Sequence, residues 1–285
     1  MSEKLAVVTG GAGFIGSHLC ERLVKDGYRV ISLDNYFTGS KDNHVDGVDY
    51  REGHTKDIAK HISESPDIIF HLGEYARVEQ SFDDIKMVLD SNVIGTIAVL
   101  EFVRDCGAKL LYAGSSTKFA DGGIGKDQSP YAWTKASNTN LVQRYADWYG
   151  ISYAITYFYN VYGERERGDI ETGTLIGIFK RKYQQGEKLS VRLPGTQKRN
   201  FTHVDDIVDG LVLVGERGEG DEYGLGNPES FSILEVAELF GGEIEMLEER
   251  PGNRMSSEVD IKRATLELGW SPKKSLRDYI QNIKS

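Results

Sequence analysis

The chain has 285 residues, with 34 Lys or Arg against 44 Asp or Glu, a formal charge of −10 at pH 7. Such an acidic chain repels phosphate backbones and anionic lipid, which excludes nucleic acid and membrane surfaces as main partners; no apolar run approaches the roughly 18 residues of a membrane span. Two isolated cysteines, Cys20 and Cys106, six histidines without metal-ligand spacing, and glycines that interrupt the first apolar stretch too early for a signal peptide point to a reduced, cytoplasmic protein without structural metal.

The first predicted strand covers 4–9 and runs into glycines. A helix over 14–26 follows, with Ile15, Leu19 and Leu23 on one face. Strands are predicted at 29–33, 48–51 and 67–72, a long amphipathic helix at 83–105, a strand at 109–113, a helix at 131–149 and a strand at 152–158. Near-continuous apolar strands separated by helices specify a parallel sheet covered on both faces. After about residue 160 the pattern loosens: helices at 171–185, 204–216, 232–240, 261–268 and 274–282, with short strands at 222–226 and 243–247. This reads as a smaller mixed α/β lobe, partly interleaved with the first domain.

Gly10, Gly13 and Gly16 form a GxxGxxG array between the first strand and the first helix, and a second strand ends in Asp34. That context is what a dinucleotide site requires. Gly10 allows the tight turn, Gly13 lets the backbone approach a pyrophosphate at the helix N-terminus, and Gly16 lets helix and sheet pack closely. Asp34 can accept from both ribose hydroxyls and would repel a 2′-phosphate, so NAD is expected over NADP. Asp57-Ile58, after the third strand, can reach an adenine ring or can be a simple turn. His71-Leu72-Gly73-Glu74-Tyr75 ends the fourth strand at the ligand-binding edge; His71 reads as packed, and Leu72 is a candidate cofactor contact.

Tyr131 and Lys135 stand at i and i+4 on one helix face. A lysine close to a phenol favours phenolate, and a phenol so tuned can take a proton from a sugar hydroxyl while the same carbon is oxidised. The fifth strand ends in the hydroxyl cluster Ser115-Ser116-Thr117, which can bind the same oxygen.

Together these residues resemble the extended short-chain dehydrogenase/reductase family of nucleotide-sugar epimerases and dehydratases, nearest to the UDP-glucose and UDP-N-acetylglucosamine 4-epimerase pattern. The likeness rests on GGAGFIGSH at 10–18 (with Phe14 and Ile15), DN at 34–35 (Asp34, Asn35), DI at 57–58, SNVIGT at 91–96, SPYAWTK at 129–135, NVYG at 160–163, RNFTHVDDIVDG at 199–210 and LGWSPKKSL at 268–276. It implies a Rossmann doubly wound parallel sheet: residues 1–162 and 205–226 would hold NAD, and 163–204 with 227–285 the nucleotide sugar. By the same resemblance Ser115 is the catalytic hydroxyl, Tyr131 the base, and Lys135 the residue that tunes it and holds the nicotinamide ribose. Asn92 lies near the cofactor, Thr117 and Asn160 touch the sugar diphosphate, and Arg199 and Arg250 neutralise it. Ser257 falls where a residue gates the pocket around C2, and a serine there admits an N-acetyl group. The resemblance also implies a homodimer built from the helices at 83–105 and 131–149.

Two departures stand out. The family's lysine after the fourth strand is replaced by Ala76, beside Arg77, and the segment from Ser115 to Tyr131 is short and glycine-rich. The family's members share oxidation at C4 of the sugar. Dehydratases then use an Asp-Glu pair after the catalytic hydroxyl, and decarboxylating members a Glu; here Ser116 and Thr117 stand there. Fucose-type members use a Cys and a His, which Cys106 and His203 do not form. The expected reaction is therefore 4-epimerisation through a 4-keto sugar. A 4-dehydrogenase, a divergent 4,6-dehydratase and a non-catalytic NAD-binding regulator are the alternatives; a regulator of this kind usually lacks the Tyr or the Lys.

Overall fold

Seven of the apolar runs become one sheet. The computed structural model describes residues 3–169, 173–248 and 259–285. In chain order the strands are β1 (Leu5–Thr9), β2 (Arg29–Asp34), β3 (Val48–Glu52), β4 (Ile68–His71), β5 (Lys109–Ser115), β6 (Tyr153–Phe158), β7 (Val161–Tyr162), β8 (Leu189–Arg192), β9 (Lys198–Asn200), β10 (Thr202–His203), β11 (Gly220–Leu225), β12 (Ser230–Ser232) and β13 (Ile244–Leu247). The sheet runs β11-β6-β5-β4-β1-β2-β3, every pair parallel. The order reverses between β1 and β4, so the crevice beyond their carboxyl ends is where a ligand is held in a fold of this kind.

The helices are α1 (Phe14–Lys25), α2 (Ile58–His61), α3 (Ile85–Val88), α4 (Gly95–Cys106), α5 (Pro130–Tyr149), α6 (Leu175–Gln184), α7 (Val204–Arg217), α8 (Ile233–Phe240), α9 (Lys262–Leu268) and α10 (Leu276–Lys284). Alternation along the strands sorts side chains to two cores. Ala6, Val8, Phe70 and Leu111 pack with Leu19 and Leu23 of α1 and Ile207 and Leu211 of α7. Val7, Ile31, Ile69 and Leu110 pack with Val99 and Val103 of α4 and Val142 of α5. A third core joins Phe179, Val191, Phe231, Phe240 and Ile280, around the small pairs β9–β12 and β8–β13.

Two local expectations need correction. The helix expected over 83–105 runs without a gap from Ile85 to Cys106, but it is not α throughout: Leu89–Ile94 forms a π-turn between α3 and α4. The wider turn carries Asn92, whose side chain accepts from Tyr75 N at 2.7 Å and donates to Tyr75 O at 3.1 Å, locking the loop after β4. The hydroxyl cluster is not all strand either. β5 stops at Ser115, whose side chain accepts from Thr117 N, and Ser116–Asp127 winds in 3-10 turns. Among the described residues no helix is long and apolar enough to cross a membrane.

Candidate active site

The glycine loop is a tight cradle. Gly10 has φ +75°, and a Cβ there would stand 2.9 Å from Gly73 Cα; one on Gly16 would stand 2.0 Å from Gly10 O. No side chain caps the N-terminus of α1 at Gly13, so its first N–H groups remain for an anion. Phe14 and Ile15 form the first turn behind it and lean on the core. The loop after β4 closes the other side: Thr9 Oγ1 accepts from Leu72 N at 3.2 Å and Gly73 N at 3.0 Å.

Asp34 is 7% exposed. Its oxygens accept from Ala12 N at 2.9 Å and Tyr36 N at 2.8 Å. Burial pushes this carboxyl up, and the two N–H groups pull it back. Asn35 is exposed and accepts from Phe37 N at 3.1 Å. Asp57 pairs with Lys60 at the surface, and the Ile58 side chain belongs to the core with Leu33.

Ser129 caps α5 by accepting from Ala132 N, with Pro130 at the first position. That fixes the start of the helix and puts Tyr131 in its first turn. Lys135, one turn on, is buried. Its ammonium donates to Ala113 O and pairs with Glu74, and it lies 4.6 Å from the centroid of the Tyr112 ring. Ser115 Oγ, at the end of the neighbouring strand, accepts from Thr117 Oγ1 at 2.9 Å.

Glu74 is the residue that sequence reasoning passed over. Its side chain is 3% exposed and that of Lys135 6%. Oε1 accepts from Thr96 Oγ1 at 3.0 Å, Tyr112 OH at 3.1 Å and Asn138 Nδ2 at 2.9 Å, while Oε2 meets Lys135. Burial raises this carboxyl, but the Lys135 ammonium, His71 and the hydrogen bonds from Lys135 and Thr96 together outweigh burial and hold it below the usual range. His71 continues the chain of contacts. It is fully buried between Thr9 Oγ1 at 2.8 Å and Thr96 Oγ1 at 3.1 Å, and burial lowers it to about 4. Thr96 donates to Glu74 and must accept from His71 Nε2–H, which leaves Nδ1 to accept from Thr9.

Beside this network opens a cleft of about 1140 Å³, lined by Thr117, Ser129 and Ala132 on one side. Four cations reach it, Arg77, Lys182, Arg192 and Arg199, against one carboxylate, Glu79, among the described residues. Arg77 is half-buried, its Nε has no partner, and burial lowers the guanidinium. Lys182 and Arg192, on α6 and β8, were not singled out from sequence; no local motif marks them. Asn160 has φ +35° and donates to Asn200 O at 2.8 Å. Arg250 and Ser257 lie outside the described residues. Glu166, after β7, is mostly buried, and burial pushes its carboxyl up to about 8. Its ionisation therefore costs the fold stability as pH rises from about 4.5 to about 8.

A glycine cradle at the switch point of a parallel sheet, next to a Tyr–Lys helix face and a cationic cleft, defines a dinucleotide-dependent enzyme of the Rossmann class. The NAD dependent epimerase/dehydratase family model matches residues 6–226, and the chain belongs to that family; NAD is its cofactor. Among curated relatives, it is 33% identical to UDP-glucuronic acid decarboxylase 6 of Arabidopsis thaliana over 98% of this chain and 87% of that protein. Among solved structures, it superposes on UDP-glucose 4-epimerase of Thermotoga maritima with UDP-glucose (TM-score 0.90, 26% identity, 98% and 97% of the two chains). A similar match is the Thermus thermophilus UDP-glucose 4-epimerase complex with NAD (TM-score 0.85, 26% identity, 97% and 96%).

Proposed function

We propose that this protein is a 4-epimerase of a nucleotide-diphosphate sugar, a UDP-hexose or UDP-N-acetylhexosamine, working through a transient 4-keto sugar. The observation that carries the reading is the group beside Ser115: Thr117, a hydroxyl hydrogen-bonded to Ser115, stands where an acid or base is needed for elimination or decarboxylation. NAD, when bound, supplies reversible oxidation at C4. Residues 1–162 and 205–226 hold it through Gly10, Gly13, Gly16, Asp34 and the Leu72 loop. Residues 163–204 and 227–285 hold the nucleotide sugar, with Arg199 and its neighbouring cations against the diphosphate. Tyr131 takes the C4 hydroxyl proton and later returns it, Ser115 hydrogen-bonds the same oxygen, and Lys135 orients the pair.

The relatives named as UDP-glucuronic acid decarboxylases favour a second reading, decarboxylation of a UDP-uronate. One experiment separates the two. The purified protein is incubated with UDP-glucose, UDP-N-acetylglucosamine and UDP-glucuronic acid, and the products are followed by NMR. Inversion at C4 without loss of carbon is expected; formation of a UDP-pentose from UDP-glucuronic acid would replace the 4-epimerase reading.

We also propose a homodimer. Ile85, Met87, Ile94, Trp133 and Trp148, all on or between α3, α4 and α5, are exposed. Burying such side chains between copies is worth about 25 cal/mol per Å². Light scattering at micromolar concentration is expected to give twice the mass of one chain; a single-chain mass would contradict it.

A further inference from the structure

Lysines that serve a phenol need an uncompensated positive charge if they are to drive it to phenolate. Here the lysine is compensated. Glu74 comes from the loop after β4 and Lys135 from α5, and the two side chains meet where water scarcely reaches. The carboxylate is also fully engaged: three donors, from α4, β5 and α5, converge on the oxygen that Lys135 does not use. Two of the three ammonium N–H groups are spoken for by Glu74 and Ala113 O.

We propose that Glu74 is a positioning residue that pins the Lys135 ammonium and cancels its charge, so that Tyr131 keeps its proton to higher pH than a bare lysine would allow. The proposal rests on the reading of Tyr131 and Lys135 as the acid–base pair. It gives that pair a property suited to a reaction in which one phenol takes a proton and returns it within a turnover, since a phenolate held too firmly could take the proton but not give it back.

Among the described residues, Glu74 is the charge that opposes Lys135. From β4 comes His71, neutral above about pH 4. From β5 comes Tyr112, which burial holds well above the usual phenol range, so it stays a neutral donor to Glu74. α4 offers Thr96, the π-turn Asn92, and α5 Asn138 and Thr134, none of them titratable. Among the described residues, Arg77, in the loop after β4, is a further charge that interacts with the Tyr131 phenol, with Arg167 and Asp169 near it. Asp84, ahead of α3, is held by the Tyr75 hydroxyl at 2.8 Å.

The test reads Tyr131 directly and needs no sugar. With NAD present, the ultraviolet phenolate signal is titrated in wild type and Tyr131→Phe, and again in Glu74→Gln and Glu74→Gln/Tyr131→Phe. Each difference isolates the one phenol. Glu74→Gln keeps the size and the oxygen that serves Thr96, Tyr112 and Asn138, and removes the charge. The midpoint is expected to fall by at least about one pH unit, a tenfold rise in phenolate fraction below it. An unchanged or higher midpoint would overturn the proposal. Glu74→Met, of similar volume, is the second variant, with the same expectation if Glu74→Gln does not fold. Failure of both to fold would also overturn it, because the pair would then serve stability and not tuning. A wrong sugar or reaction class leaves this measurement standing, whereas full activity in Tyr131→Phe would remove the acid–base reading independently.

Discussion

Tyr131→Phe is expected to give a folded protein that still binds NAD and turns over at least ~100-fold more slowly. The ring stays, so the first turn of α5 keeps its packing and the cap at Ser129 is untouched. What goes is the phenolic oxygen to which the proposed mechanism assigns proton exchange with the C4 hydroxyl. Ser115, whose Oγ already accepts from Thr117, remains to hydrogen-bond the substrate oxygen in that mechanism. The check is turnover on whichever nucleotide sugar the wild type converts, with the melting temperature and NAD binding measured in parallel. Activity close to wild type would remove Tyr131 from the chemistry.

Gly16→Ala carries the other large effect. Its methyl would stand 2.0 Å from Gly10 O, 2.8 Å from Gly10 C and 2.9 Å from Gly11 Cα, all backbone atoms. No rotamer relieves a clash with backbone, so the loop itself must move. Overpacking of this kind costs about 1–3 kcal/mol. The atoms that move form the cradle at the N-terminus of α1, so the loss is expected chiefly in cofactor affinity. Calorimetric titration with NAD should show binding weakened by roughly tenfold or more. Unchanged affinity in a folded variant would show that this turn does not hold the dinucleotide.

The elements that could be read from sequence are those whose cause is local. β1, β4 and β6 are short apolar runs, and α1, α5 and α7 carry their periodicity within themselves. The strands that escaped, β7, β8, β9, β10 and β12, are two to four residues long and exist because a partner lies far along the chain, as with Phe231 opposite Arg199. The π-turn at Leu89–Ile94 escaped for a related reason: it exists to carry Asn92 to Tyr75, and nothing in the local pattern says so. The same division runs through the site. The glycine array and the Tyr131–Lys135 spacing are legible because each lies within a short stretch of chain. Glu74 was visible at a strand end, but its meaning depends on Lys135, 61 positions later, and on a sheet that brings β4 and β5 side by side.

The last strand of the large sheet has a consequence for biosynthesis. β11 pairs with β6, Tyr223 beside Thr156 and Leu225 beside Phe158, after the chain has gone off to build α6 and four short strands and returned through α7. Until Gly220–Leu225 leaves the ribosome, β6 is a bare hydrogen-bonding edge with apolar neighbours, the kind of surface that recruits other chains. A message or protease cut that ends the polypeptide before Gly220 is therefore expected to give an aggregating fragment, which the soluble fraction of a chain ending at residue 219 would check. Trimming everything after β6 removes the strand that closes the large sheet, because that edge is delivered late in the chain.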